Sequence, residues 1–129
     1  MEIALRAALI AWLGEDPVLA AMLNSVTEEA PAKASAPWLA IATSASADWG
    51  AKDRLGREVR IALELHCRGD RPDTAGTLVA ALENRIDALP RSQDGFEIAS
   101  SRFLRARTEQ RAGNVRSILM EYRFRVLAA

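Results

Sequence analysis

Two helices are predicted at the start of the chain, because apolar residues recur there at helical spacing. The first covers residues 2–13, and Gly14 ends it. Asp16 followed by Pro17 is typical of an N-cap and a first helical residue, so a short second helix is expected to run to about Leu23. The apolar stripe of the first helix consists of Ile3, Leu5, Leu9, Ile10, Trp12 and Leu13.

Two strands are predicted in the middle of the chain. Residues 38–43 form a short apolar run directly after Pro37, and residues 59–67 alternate between apolar and mostly polar side chains. The simplest connection is an antiparallel hairpin with an extended inter-strand loop over residues 45–57. The segment before it, residues 24–37, contains prolines and small polar residues and is predicted to be a linker.

The strongest helical pattern follows the turn at residues 69–72. Asp70 or Asp73 is expected to cap this helix, and Pro90 closes it. Its apolar stripe consists of Ala75, Leu78, Val79, Leu82, Ile86 and Leu89.

Two more strands are predicted after this helix. The first covers residues 96–104 with a bulge near Ser100 and Ser101, and the second covers residues 117–126, where apolar and polar side chains alternate. The first strand is marked by Phe96, Ile98 and either Phe103 or Leu104. Gly113-Asn114 belongs to the connection between them.

These elements predict a single α+β domain over residues 1–129, in the order α-α-β-β-α-β-β. The four strands would form a mainly antiparallel sheet of two hairpins, with the helices packed on one face. The other face of the sheet would be polar.

Composition and charge narrow the class of protein. The chain has 129 residues, which suits one domain, and its 17 basic and 17 acidic residues cancel. A zero net charge argues against a protein whose main task is to grip nucleic acid. The apolar N-terminal run is interrupted by Arg6 and is too short for a membrane span, so we expect a soluble intracellular protein with no membrane partner.

The sequence offers little for catalysis or for binding a cofactor. His66 is the only histidine, and its neighbour Cys67, the only cysteine, points to the opposite face of the same strand. A shared metal site is therefore not expected, no disulfide can form, and Cys67 is interpreted as a small buried side chain. Phosphate-binding glycine loops and nucleophile elbows are missing. We predict no enzyme, no metal and no cofactor.

Arginines dominate the last third of the chain. Three interpretations remain open: a solvated sheet face with scattered ion pairs, a subunit interface, or a small arginine-rich nucleic-acid-binding module. An enzyme whose site forms only at an oligomer interface is a further alternative. The arginines are Arg102, Arg105, Arg107, Arg111, Arg116, Arg123 and Arg125.

Trp49 stands out in the predicted loop, because indole is a large apolar group flanked there by Asp48 and Gly50. Either its ring folds back onto its own domain, or the loop contacts another chain.

Four short motifs resemble the tail terminator, or tail completion, proteins of long-tailed phages and bacterial gene transfer agents. They are Pro37-Trp38-Leu39-Ala40-Ile41, then Asp48-Trp49 with Lys52, Gly56 and Glu58, then Leu65-His66-Cys67-Arg68-Gly69, and finally Glu121 to Val126, "EYRFRV". The order of elements also agrees, so the resemblance covers nearly the whole chain.

The resemblance implies a structural protein of the virion or gene transfer agent particle, assembled in the bacterial cytoplasm. Such a protein forms a homohexameric ring that caps the tail tube, stops its polymerisation and joins it to the neck or head-tail connector. Double-stranded DNA passes through the ring without sequence-specific binding. A candidate interface with neighbouring subunits or the tail consists of Asp48, Trp49, Lys52, Arg54 and Glu58. Candidate ring-interface or lumen charges are Arg60, Glu64, His66, Arg105, Arg107, Glu121, Arg123 and Arg125.

Overall fold

The computed structural model describes residues 1–129 as three helices and five strands. They are α1 (Glu2–Gly14), α2 (Pro17–Met22), β1 (Ser25–Thr27), β2 (Trp38–Asp48), β3 (Gly56–Arg68), α3 (Pro72–Asp87), β4 (Phe96–Arg111) and β5 (Val115–Ala128). The α+β class is confirmed. None of the helices has the length and apolar character needed to span a bilayer.

The sheet has five strands and not the predicted four. Its order is β1-β2-β3-β5-β4, and β1 runs parallel to β2 while all other pairs are antiparallel. β1 lies within residues 24–37, which the sequence predicted to be a linker. A three-residue strand is too short to show an alternating pattern, and only its pairing with the start of β2 makes it a strand.

The helices begin and end close to the predicted positions, but the N-cap of α3 differs from the prediction. Asp16 caps α2 as predicted, since its Oδ2 accepts a hydrogen bond from Leu19 N at 3.0 Å. Arg71, and neither predicted aspartate, occupies the N-cap of α3, and no side chain caps this end. Pro72 at the first helical position supplies a backbone already suited to helix entry.

The helices cover one face of the sheet, as predicted. Leu5, Leu9 and Leu13 of α1 are fully buried, and so are Leu78 and Leu82 of α3. Ile3 was predicted to belong to the α1 stripe, but its residue is 80% exposed. On the sheet, the core side chains are Leu39, Ile41, Val59, Ile61, Leu63, Leu65, Cys67, Phe96, Ile98, Ile118, Met120, Tyr122, Phe124 and Val126.

The hairpin of β2 and β3 is longer, and its loop shorter, than predicted. β2 continues through Asp48 and β3 begins at Gly56, so the connection is only residues 49–55 instead of 45–57. Small residues such as Ala45 and Ala47 have weak strand preference, and their pairing with β3 holds them in the sheet. A register shift between Ile41 and Thr43 also breaks the alternation that a sequence pattern requires.

Most of β4 is exposed, since only Phe96 and Ile98 of this strand are buried. The predicted bulge is confirmed by a register shift between Ile98 and Ser100, and a second shift lies between Phe103 and Arg105. Phe103 is 44% exposed. At the turn, Asn114 adopts a positive φ of 56°, a conformation that asparagine tolerates better than most residues.

Candidate functional site

The predicted charges meet on the side of the sheet that faces away from the helices, which we call the polar face. In cross-strand register, Glu58 lies opposite Arg125, and Arg60 lies opposite Arg123. Glu121 lies opposite Arg105 on the outer strand. The polar face carries Glu58, Arg60, Glu64, His66, Arg102, Arg105, Arg107, Glu109, Glu121, Arg123 and Arg125.

Most arginines of the polar face are already paired within the chain. Arg105 binds Glu121 through two hydrogen bonds, Nε to Oε2 at 2.8 Å and Nη2 to Oε1 at 3.1 Å. The hydrogen bond from Arg105 lowers the pKa of the Glu121 carboxyl below its ordinary value. Arg107 Nε lies 3.2 Å from Glu109 Oε1 on the same strand. The face is therefore charged but largely self-neutralised.

Glu58 is shared between two arginines. Arg125 Nε donates to Glu58 Oε1 at 3.2 Å, whereas Arg123 Nε lies 3.8 Å from the same oxygen and makes no hydrogen bond there. Arg123 is flanked in its row by Arg60 on β3 and Arg102 on β4. This row of three arginines is the least compensated positive region of the polar face.

His66 belongs to a cluster that the sequence did not predict. The ring of Trp38 stacks on His66 with centroids 4.0 Å apart, and Glu64 Oε2 lies 2.7 Å from His66 Nε2. Ser117 Oγ donates to the same Glu64 oxygen at 3.0 Å. Because side chains alternate along a strand, Trp38 points to the face opposite that of Leu39. Its place in this alternation was the sequence signal that could have predicted the cluster.

This cluster does not have the geometry of a nucleophile and its base. Glu64 lies between Ser117 and His66, so the imidazole is not hydrogen-bonded to the hydroxyl that it would have to deprotonate. Ser117 is also completely buried. The arrangement instead packs Trp38 and His66 against each other on the sheet.

The loop of residues 49–55 is well anchored at its base. Arg54 donates to Ala128 O through Nε at 3.1 Å and Nη2 at 2.7 Å, and its Nη1 lies 2.9 Å from Glu97 Oε1. Trp49 N donates to Gly56 O at 3.0 Å. A side chain at Gly56 would have no room, because its Cβ would lie 2.9 Å from the carbonyl oxygen of Trp49.

Trp49 is half-buried and lies beside the polar face. The guanidinium of Arg125 is 5.4 Å from the centre of the indole ring. The ring thus folds partly onto its own domain while part of it stays accessible. Lys52 and Asp48 are exposed nearby, and Leu55 is 75% exposed. The predicted interface residues therefore share one end of the sheet, with Asp48 in β2, Glu58 in β3 and the others in the loop.

No enclosed site accompanies these groups. A shallow depression of about 290 Å³ lies over the polar face, lined by Thr43, Ser44, Ala45, Arg60, Ile61, Ala62, Leu104, Arg105 and Glu121. No three histidine, cysteine, aspartate or glutamate side chains converge as metal ligands would. Cys67 is buried, and burial raises the pKa of its thiol, which disfavours the reactive thiolate.

Comparison with known proteins decides the family. The family model described as "Tail completion protein gp17" matches residues 7–127, which is nearly the whole chain. The chain belongs to the tail completion protein family. This family is structural and not enzymatic, and its members are components of virions or virion-like particles.

Two solved structures share the fold of this tail completion protein. A chain of the virion of the native gene transfer agent particle superposes with a TM-score of 0.78 and 24% identity, over 96% of this chain and 95% of that chain. The gp17 protein of bacteriophage SPP1 superposes with a TM-score of 0.69 and 19% identity, over 95% of this chain and 88% of that chain. No curated protein sequence matches the chain significantly.

Proposed function

We propose that this tail completion protein is a ring-forming tail terminator. Six copies cap the head-proximal end of the tail tube, stop its polymerisation and connect it to the neck. The observation that carries the proposal is the polar face, a broad charged surface with no catalytic pocket whose charges are mostly paired with one another. The family match supports the same role.

The polar face suits the wall of a channel for double-stranded DNA. DNA phosphates are held by arginines that are free to replace the counterions condensed on the DNA backbone. Arg105 and Arg125 are instead bound to carboxylates of their own chain. Most charges of such a wall are compensated within the chain, so a duplex can slide past without being held.

The two ends of the long strands suit two different axial neighbours. The loop of residues 49–55, with Trp49 half-accessible and Leu55 exposed, lies where β2 ends and β3 begins. The turn at residues 112–114 lies at the opposite end of the sheet, where β4 meets β5. When the strands run along the ring axis, one end faces the tail tube protein and the other faces the neck or connector.

The ion pairs within the polar face weaken the alternative of a nucleic-acid-binding module. The row of Arg60, Arg102 and Arg123 is the only part of the polar face with a clear excess of positive charge. We expect binding to short duplex DNA to be weak and to vanish at physiological salt. Submicromolar binding at such salt, measured by fluorescence anisotropy, would favour the alternative.

Particles made with and without this chain test the proposal. Loss of the chain is expected to give tails of irregular length that fail to join heads, and expression of the wild-type chain should restore both properties. Electron microscopy with difference density should place the chain at the head-proximal end of the tail. Normal joined tails without the chain, or density elsewhere, would refute the role as terminator.

A further inference from the structure

The first long strand from each side of the sheet, β2 and β4, is covered along part of its outer edge and free along the rest. β1 covers the start of β2, Trp38 to Ala40, and leaves residues 42–48 unpaired on that side, which we call the β2 free edge. At the other side, residues 91–93 fold over the start of β4, where Ile98 N donates to Arg91 O at 2.7 Å. Residues 100–111 of β4 have no outer partner and form the β4 free edge.

The two free edges carry opposite charge. The β4 free edge contains Arg102, Arg105, Arg107 and Arg111 against the single acid Glu109. The β2 free edge ends at Asp48 and is flanked by Glu28 and Glu29, which follow β1 and contact Arg6 at 3.3 and 3.4 Å. Like charges facing each other across paired strands are destabilising. Two copies therefore match through unlike edges, and this head-to-tail contact builds a ring when the rotation between copies closes.

Exposed apolar side chains lie at matching positions on both edges. Phe103 pairs with Tyr122, which pairs with Ile61, which pairs with Ser44, so Phe103 and Ser44 end the same row of the sheet. The hydroxyl of Ser44 donates to Glu2 Oε2 at 2.6 Å, and Glu2 is followed by the exposed Ile3.

Ile3 also points in the direction that such a contact needs. Nine residues separate it from Trp12, which at about 3.6 residues per turn places the two on opposite sides of α1. Trp12 contacts α3, since its Nε1 donates to Arg85 O at 2.7 Å. Ile3 therefore faces away from α3, on the side of the β2 free edge.

The strand directions allow the two edges to pair. Successive strands β2, β3, β5 and β4 alternate in direction, so β2 and β4 run in opposite directions. Rotation about an axis along the strands preserves these directions. The β4 of one copy thus meets the β2 of the next as an antiparallel pair, the more stable arrangement.

We propose that the β4 free edge of each subunit pairs with the β2 free edge of the next copy, with Phe103 against Ile3. The inference rests on the proposed ring and names its subunit contact. Six copies contributing four long strands each would form a wall of roughly 24 strands, and barrels of 16 to 18 strands already enclose aqueous channels.

Cysteine cross-linking in assembled particles tests the pairing. The double variant Ile3→Cys/Phe103→Cys, treated with a short bismaleimide, should give a ladder of bands that each add one subunit. The native Cys67 is buried and should not react. The matched control Val18→Cys/Phe103→Cys uses another exposed apolar residue, on α2 beside Ala81, and should stay monomeric.

The outcomes separate this contact from the ring itself. A chain that is present at the tail end but gives no ladder would overturn the edge pairing and leave the terminator role standing. A chain that is absent from particles would overturn both. Equal ladders in variant and control would show unspecific proximity, which also contradicts the pairing.

Discussion

Trp12 and Arg85 hold α1 and α3 together through a reciprocal contact. Trp12 Nε1 donates to the backbone oxygen of Arg85 at 2.7 Å, and Arg85 Nε donates to the backbone oxygen of Trp12 at 2.9 Å. The guanidinium also lies 3.3 Å above the centre of the indole ring. Each residue thus satisfies a carbonyl near the end of the other's helix.

Arg85→Lys is expected to destabilise the fold by about 1–3 kcal/mol, because an ammonium group cannot stack flat on the ring and reach Trp12 O together. The free energy of unfolding in urea measures this loss. The control Arg71→Lys, at an exposed position, should remain within about 0.5 kcal/mol of the wild type. Equal stability of the two variants would mean that the contact contributes little.

Leu82→Ala is expected to cost about 2–5 kcal/mol, because Leu82 is fully buried on α3 and its truncation leaves a cavity. Thr77→Ala, on the exposed side of the same helix, provides the comparison and should change stability by about 0.5 kcal/mol at most. Chemical denaturation of both variants gives the difference. A loss below about 1 kcal/mol for Leu82→Ala would show that the core tolerates this cavity.

Trp49→Ala should leave the subunit folded but impair assembly. The indole ring is half-buried and its centre lies 5.4 Å from the guanidinium of Arg125, so its loss should cost only about 1 kcal/mol of folding stability. Truncation of an interface anchor commonly weakens the binding free energy by about 2 kcal/mol or more. In a ring of subunits, that loss recurs at every equivalent contact. Thermal unfolding and micrographs of particles measure the two effects, with Asp53→Ala as the control in the same loop. Normal tails with a stable variant would remove Trp49 from the interface.

Tyr122 is expected to make the fold sensitive to alkali. Burial, with smaller contributions from Glu83 and Asp87, raises the pKa of its phenol far above the ordinary value of about 10. The unfolded chain then releases the phenolic proton more readily than the folded one, so stability is unaffected below about pH 10 and falls as the pH rises above it.

Ultraviolet titration can follow this group alone, since the chain contains one tyrosine. Phenolate absorbance should appear together with unfolding and not before it. Tyr122→Phe should show a shallower loss of stability above pH 10, while behaving like the wild type at pH 7. A reversible phenolate signal near pH 10 in the folded protein would contradict the expected burial effect.

The sequence predicted those elements whose side chains alternate or repeat locally. The period of two in β3 and β5, and the stripe of α3, result from burial of one face, which is written into the residues themselves. β1 and the second half of β2 are held by pairing with distant segments. Small residues such as Ala45 have only a weak preference for the strand conformation, so the sequence alone does not predict it.

The candidate site divides in the same way. Alternation alone placed Arg60, Glu64 and His66 on one face, and the structure confirms this placement. The stacking of Trp38 on His66 was missed, because it joins two strands whose register depends on the bulge after Ile41. Whether Trp49 touches another subunit depends on a second chain, which no property of one sequence encodes directly.

The partly covered edges of β2 and β4 also affect how the subunit behaves before it joins a particle. A fully open strand invites indefinite stacking into fibrils. Here β1 and residues 91–93 shorten each open stretch, and the arginines of β4 repel an identical strand. Salt screens such repulsion. Free subunits should therefore stay unassociated at low ionic strength and aggregate more readily as the ionic strength rises.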